Sequence, residues 1–166
     1  SNIITTYNLN NDEKVLQINS EKGFLLHDLK IENKNLRVYG TETSKYAIEN
    51  SEKEINNNVT LSKPTALPFP DKFFDFVIAL GVVYTQNLEN AVKVLDEIIR
   101  VSKNNSFITL ASYNNTNDYF LFKDWTLLGT TILRKSEWVE VLKSVQYQGD
   151  YFFTNANTLK LERFKK

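Results

Sequence analysis

Apolar and polar residues alternate along the chain in two rhythms, one with the spacing of strands and one with that of helices. Glu13-Lys14-Val15-Leu16-Gln17-Ile18 is a short β-prone run, followed by a polar loop over Asn19 to Lys22. From Gly23 to Leu29 the pattern turns helical, with Phe24, Leu25 and Leu29 on the apolar face. Residues 35–41 read as a second strand, and Thr43 or Ser44 can cap a helix running through Tyr46, Ala47 and Ile48. Residues 58–61 form a brief strand. Residues 74–80 are strongly apolar, interrupted by Asp75 alone, as in a strand covered on both faces.

The second half repeats the alternation. Leu88, Ala91, Val92, Leu95, Ile98 and Ile99 recur at helical spacing and predict the clearest amphipathic helix. Residues 106–111 read as a strand, and Ser136 can cap a helix that buries Trp138, Val141, Leu142 and Val145. Residues 150–153 and 158–164 then read as two strands with no helix between them. Strands alternating with helices imply parallel pairing through right-handed crossovers. The expected fold is α/β: a Rossmann-like three-layer sandwich with a mostly parallel seven-stranded sheet and an antiparallel C-terminal hairpin. One domain spans residues 1–166, and its ligand site is expected beyond the carboxyl ends of the strands.

Composition narrows the function classes. Twenty basic residues balance twenty acidic ones, so no global field favours nucleic acid or an anionic membrane. No apolar run approaches the roughly 20 residues of a membrane span. The chain has no cysteine and a single histidine, His27, which excludes thiolate chemistry and multi-His metal sites and suits a reducing cytoplasm. His27 reads as a surface or boundary residue, and Asp75 as a structural carboxylate that caps or positions the loop before the fourth strand. Trp125 and Trp138 read as core or lid aromatics, and residues 114–118 as either a lid or a solvated loop.

Several motifs, in order, carry a resemblance. They are Val15-Leu16-Gln17-Ile18-Asn19-Ser20-Glu21-Lys22-Gly23, Gly40-Thr41-Glu42-Thr43-Ser44, Ser62-Lys63-Pro64-Thr65-Ala66 and Leu67-Pro68-Phe69-Pro70-Asp71. They continue with Glu97-Ile98-Ile99-Arg100-Val101 and a C-terminal region holding Trp125, Trp138 and Gly149-Asp150-Tyr151. Over about residues 15–153 this resembles the class I S-adenosylmethionine (SAM)-dependent methyltransferases of the bacterial small-molecule type.

The resemblance implies SAM as the cofactor, if any, and no metal. Its contacts would fall on Gln17, Asn19, Lys22, Gly23, Glu42, Thr43, Lys63, Thr65 and Leu80, and substrate contacts on Tyr84 and Tyr113. Against the family pattern the motif after the first strand is degenerate. Gln17 replaces an acidic residue, and Asn19 replaces the glycine that lets the backbone approach its ligand. Asparagine tolerates positive φ, so the turn is expected to survive while the side chain intrudes on the cofactor. Glu21 adds a carboxylate to the same loop. Lys63 stands where an acceptor for the adenine amino group is usual, and an ammonium accepts nothing; Pro64 removes a backbone donor.

Glu42 stands where a carboxylate takes both ribose hydroxyls, although a carboxylate there also suits a helix N-terminus. The family's segment before the first strand is short or missing here. Two readings stay open. One is a non-catalytic relative that binds a small molecule or a protein partner; the other is a divergent, active small-molecule methyltransferase.

Overall fold

A computed structural model describes residues 2–162. The elements run α1 (Asn2–Thr6), β1 (Lys14–Ile18), α2 (Phe24–Glu32), β2 (Arg37–Glu42), α3 (Lys45–Glu49) and β3 (Val59–Leu61). They continue with β4 (Phe74–Ala79), α4 (Leu88–Val101), β5 (Ser102–Tyr113), α5 (Thr116–Trp125), β6 (Leu133–Arg134), α6 (Lys135–Ser144) and β7 (Asp150–Thr154). The seven strands form one sheet in the order β3-β2-β1-β4-β5-β6, with β7 also pairing to β5. Every pairing is parallel.

Side chains alternate across the central strands, and the two faces have different partners. Leu16, Ile18, Val77, Ala79, Ile108 and Leu110 pack with α4 and α6, including Leu95, Ile98 and Trp138. Val15, Val38, Phe76 and Ile78 pack with Leu26 and Leu29 of α2, and Ile3 and Ile4 of α1 join them. This gives the three-layer Rossmann-like sandwich. The helix over 88–101 forms as its spacing predicts, but its buried face is Ala91, Val94, Leu95, Ile98 and Val101. Val92 and Ile99 are half-buried, and Leu88 is exposed.

The C-terminal hairpin is corrected. β7 lies parallel to β5, with Phe107 opposite Asp150 and Ala111 opposite Thr154. Residues 156–160 form a turn instead of a strand, and Arg163 and Phe164 lie outside the described residues. Local polar chemistry wins over the alternating pattern there. The Asn155 amide donates to Thr158 Oγ1 at 2.8 Å and the Thr158 amide to Asn155 Oδ1 at 2.9 Å. The seventh strand is instead β6, two residues paired with the end of β5.

α6 starts one residue before Ser136. Its first turn is closed by Glu137, whose carboxylate accepts the Arg134 N–H at 2.6 Å. The segment 114–118 is solvated over its exposed residues 114–117, but it opens a helix and ends on a buried carboxylate. Asn115 caps α5, and Asp118, 4% exposed, accepts from Asn114 and, across 38 residues, from the Ala156 N–H at 2.9 Å.

Two of the sequence motifs meet in space. Arg100, in the last turn of α4, donates to Glu97 Oε1 at 2.7 Å and to the carbonyls of Phe69 and Leu67 at 2.7 and 3.0 Å. It also pairs with Asp71 at 2.9 Å. Glu97 in turn accepts the Leu67 N–H at 2.6 Å. The Leu-Pro-Phe-Pro-Asp segment is thus clamped in the extended approach that β4 needs.

Asp75 works inside β4 instead of before it, accepting the Lys14 N–H at 2.8 Å and the Lys103 ammonium at 2.5 Å. The hydrogen bond from Arg100 outweighs burial and holds the Glu97 carboxyl below the usual glutamate range. A depressed folded-state value stabilises above the unfolded value near 4.3 and loses that contribution as pH falls through the folded value. Glu97→Gln is therefore expected to be less stable at pH 7 and to show a flatter loss of stability between about pH 5 and 3. Urea unfolding across that window checks it, and parallel curves for variant and parent would contradict it.

Candidate functional site

The candidate site is assembled at the carboxyl ends of β1, β2 and β4. Pairing sets Gln17 beside Gly40 and Ile18 beside Thr41, so the loops leaving β1 and β2 emerge side by side. The β1 loop is tight. Asn19 and Glu21 both have φ of 52°, and Gly23 has φ of 77°. Asn19 takes the left-handed turn usually given to glycine, as its tolerance of positive φ predicts. Gly23 is doubly required, since a Cβ there would also stand 3.1 Å from Ile55 Cγ2. Gly40 permits a close approach in the other direction, because a Cβ would come within 2.5 Å of Ser20 Oγ. Backbone bonds seal the loop: the Ser20 N–H donates to the Thr41 carbonyl at 2.9 Å and the Gly23 N–H to that of Ser20 at 2.8 Å.

Glu42 is the centre of this arrangement. It is 6% exposed, and its carboxylate is engaged on both oxygens. Oε1 accepts the N–H groups of Thr43 at 2.7 Å and Ser44 at 3.0 Å, together with the Thr43 hydroxyl at 3.2 Å. Oε2 accepts the Glu21 N–H at 2.9 Å, from the opposite loop. One carboxylate therefore caps the approach to α3 and ties the β1 loop to the tip of β2. Ser44 is the cap of α3, accepting the Ala47 N–H at 3.2 Å. The part played by the Glu21 N–H is not readable from spacing alone.

The other expected residues divide. Gln17 is 8% exposed and leaves Oε1 buried without a partner, and Asn19 Oδ1, Ser20 Oγ and Thr41 Oγ1 are likewise buried and unpaired. Ser20 and Thr41 were absent from the sequence candidates. Their sole signal was adjacency to the motif residues. Lys22 is exposed, and its carbonyl accepts the Glu52 N–H at 2.9 Å. Lys63 is exposed, Pro64 buried and Thr65 half-buried in the loop after β3. That loop is joined to Glu42 through the Ser62 N–H, 2.9 Å from the Glu42 carbonyl.

Leu80, 43% exposed, follows the tip of β4. Tyr84 is half-buried with its ring 6.2 Å from that of Phe122; its carbonyl holds the Thr130 and Thr131 N–H groups, and burial pushes its phenol up. Tyr113, at the end of β5, meets Tyr119 edge-on at 5.3 Å. Tyr84 and Tyr113 pack against one small cluster of Ala111, Phe122 and Ile132. Three strand spacings separate the strand of Glu42 from that of Tyr113, roughly 14 Å. His27 is a boundary residue, its Nδ1 3.9 Å from Asp28. Trp125 is 50% exposed, whereas Trp138 is fully buried and donates to the Ala111 carbonyl at 2.7 Å.

Among the described residues no cluster of three or more His, Cys, Asp or Glu side chains is arranged to hold a metal. No helix among them is long and apolar enough to cross a membrane.

A structural role for Glu42 has a direct readout. Glu42→Gln replaces one acceptor oxygen by a donor, so either the Glu21 N–H or the pair at Thr43 and Ser44 is left facing an N–H. The expected cost is about 1–3 kcal/mol, or roughly 2–4 °C in Tm for each kcal/mol, with no ligand added. An unchanged Tm would contradict the joint.

Known proteins place this geometry. The family model described as "Methyltransferase domain" matches residues 16–110, more than half of the chain. Among curated proteins none matches. Among solved structures, the YcgJ protein from Bacillus subtilis superposes with a TM-score of 0.68 at 20% identity, covering 87% of this chain and 65% of its own. A SAM-dependent methyltransferase from Archaeoglobus fulgidus gives 0.63 at 22% identity, covering 81% of this chain and 60% of its own. The [4+2]-cyclase SpnF gives 0.68 at 15% identity, covering 86% and 54%. The chain thus spans less than two thirds of the length of these three proteins. Fold, motif order and family match agree, and the chain belongs to the class I SAM-dependent methyltransferase family.

Proposed function

We propose that this domain is a non-catalytic member of its family, which binds a small molecule or a protein partner and does not use SAM as a methyl donor. The observation that carries this reading is the state of Glu42. A carboxylate that holds a ribose needs free acceptor positions for two hydroxyls, and here Oε1 already serves three donors and Oε2 a fourth. Oε2 keeps one acceptor position, so seating both hydroxyls means displacing at least one of these donors, the Thr43 hydroxyl at 3.2 Å being the weakest held, and the diol competes with contacts the chain already makes.

The neighbouring positions do not compensate. Gln17 brings no charge to the sulfonium's ammonium, Asn19 carries a side chain at the left-handed turn, and Lys63 offers no acceptor to adenine. The residues present do not fit the cofactor as this family is expected to hold it. SpnF, named for a cyclisation, shares the fold, in keeping with a scaffold that serves ends other than methyl transfer. The lack of cysteine supports a reducing compartment such as the cytoplasm, and the even charge balance supports a partner other than nucleic acid.

A second reading has one observation in its favour. Gln17 Oε1, Asn19 Oδ1, Ser20 Oγ and Thr41 Oγ1 are buried and unpaired at the same strand tips. A polar ligand seated there would satisfy them. A divergent, active methyltransferase of small molecules is the form that reading takes.

Thermal shift with SAM and S-adenosylhomocysteine separates the two. A ligand at 100 times its Kd stabilises by roughly 2.7 kcal/mol, a shift of several degrees. We expect no saturable shift up to millimolar ligand, and one at sub-millimolar concentration would overturn the non-catalytic reading. Asn19→Gly combined with Lys63→Asp is expected to create or tighten binding of the same ligands. An unchanged response would count against a lesion at those two residues.

A further inference from the structure

On the sheet face that carries α1 and α2, the helical layer leaves a cavity of about 300 Å³ over β4 and β5. Its walls are Ile3 of α1, Leu25 in the first turn of α2, Phe76 and Ile78 of β4, Leu80 just beyond it, and Phe107 of β5. We infer that this cavity binds a small uncharged apolar molecule of one or two rings, or a short alkyl chain.

Four observations point to that class. The first is charge. The remaining lining residues are Thr6 and Tyr7, so among the described residues no cation or anion lines the space. The Tyr7 hydroxyl is itself committed, donating to Asp150 Oδ2 at 2.9 Å. Burial, with the Asp150 carboxylate second, pushes that phenol up to about 12, so it stays neutral at physiological pH. A charged ligand would give up its hydration here without a counter-charge.

The second observation is size. An apolar cavity of about 150 Å³ stays dry and takes up benzene, so twice that volume accommodates a bicyclic ring system. Third, the walls are held in place. Phe76 and Ile78 belong to a central strand and are at most 1% exposed. The Tyr7 ring lies 4.1 Å from that of Phe76 and is pinned at its far end by Asp150. Fourth, Phe107 is only half-buried although it sits in a strand with neighbours on both sides, and Leu80 is 43% exposed. An apolar occupant removes that surface from water, a gain of roughly 25 cal/mol per Å².

Leu80 and Leu25 also join the cavity to the strand tips, since one follows β4 and the other lies two residues past Gly23. The cavity itself reaches below the tips, to the middle of β4 and β5. Gln17, Asn19, Glu42 and Lys63 do not line it. The inference rests on the non-catalytic reading only in treating the apolar molecule as a bound ligand instead of a methyl acceptor.

The test is fluorescence titration with N-phenyl-1-naphthylamine, an uncharged apolar probe. We expect saturable, blue-shifted emission at about one probe per chain. Thr6→Trp places an indole at the exposed mouth and should weaken binding at least tenfold, and Leu80→Glu should do the same by bringing in a charge. Both positions are exposed, and an unchanged Tm verifies that each variant folds. The paired control, Leu127→Ser with Leu128→Ser, removes the most exposed apolar side chains elsewhere, at 97% and 72%, and should leave binding intact.

Absence of saturable binding would overturn the inference. So would binding that survives Thr6→Trp, or that disappears in the Leu127/Leu128 variant. Failure of this inference and failure of the non-catalytic reading are distinguishable. A thermal shift with SAM alongside intact probe binding removes the non-catalytic reading and keeps the cavity. No response to either ligand removes the cavity alone.

Discussion

The arrangement at the strand tips depends on one carboxylate. Glu42 gathers the Glu21 N–H from one loop and the N–H groups of Thr43 and Ser44 from another, and so holds together two segments that pairing brings close but does not join. Without it the β1 loop would have two non-glycine residues at positive φ, Asn19 and Glu21, with less to hold them there. A ligand bridging the same two loops would perform the same task from outside. Under the proposed non-catalytic reading the joint substitutes an internal contact for an external one, with acceptors that a ribose would also use.

The rest of the framework is unaffected by this change. Arg100 and Glu97 still clamp the segment leading to β4, and Asp75 still ties β4 to the starts of β1 and β5. The helices still cover both faces of the sheet through the clusters around Leu95 and Leu29. A scaffold can therefore keep its core while its polar loops diverge, because the core is stabilised by apolar burial and packing that the loops do not share. Beside its polar loops the scaffold also offers apolar space. The apolar cavity beneath the tips is of that kind.

Much of the framework was legible in the residues. The strongly apolar strand at β4, the helix from Leu88 to Val101 and the adjacency of the β1 and β2 motifs follow from periodicity and order. The turn at Asn19 was also legible, since few residues adopt a φ of 52° so readily. Other features were not. β6 has two residues, too few to show a period, and the alternation after Thr158 gave way to the reciprocal bonds between Asn155 and Thr158. Asp118 looked like loop chemistry because its partner, Ala156, lies 38 residues away. Glu42 was legible as a carboxylate in the right place, but its engagement depends on where the Glu21 N–H falls in space.

Amide hydrogen exchange at Glu21, Thr43 and Ser44 probes the central claim most directly, because those three N–H groups are the ones Glu42 holds. The account predicts slow exchange in the protein alone and the same rates with millimolar SAM present. Fast exchange without ligand, or rates that change saturably as SAM is added, would contradict it.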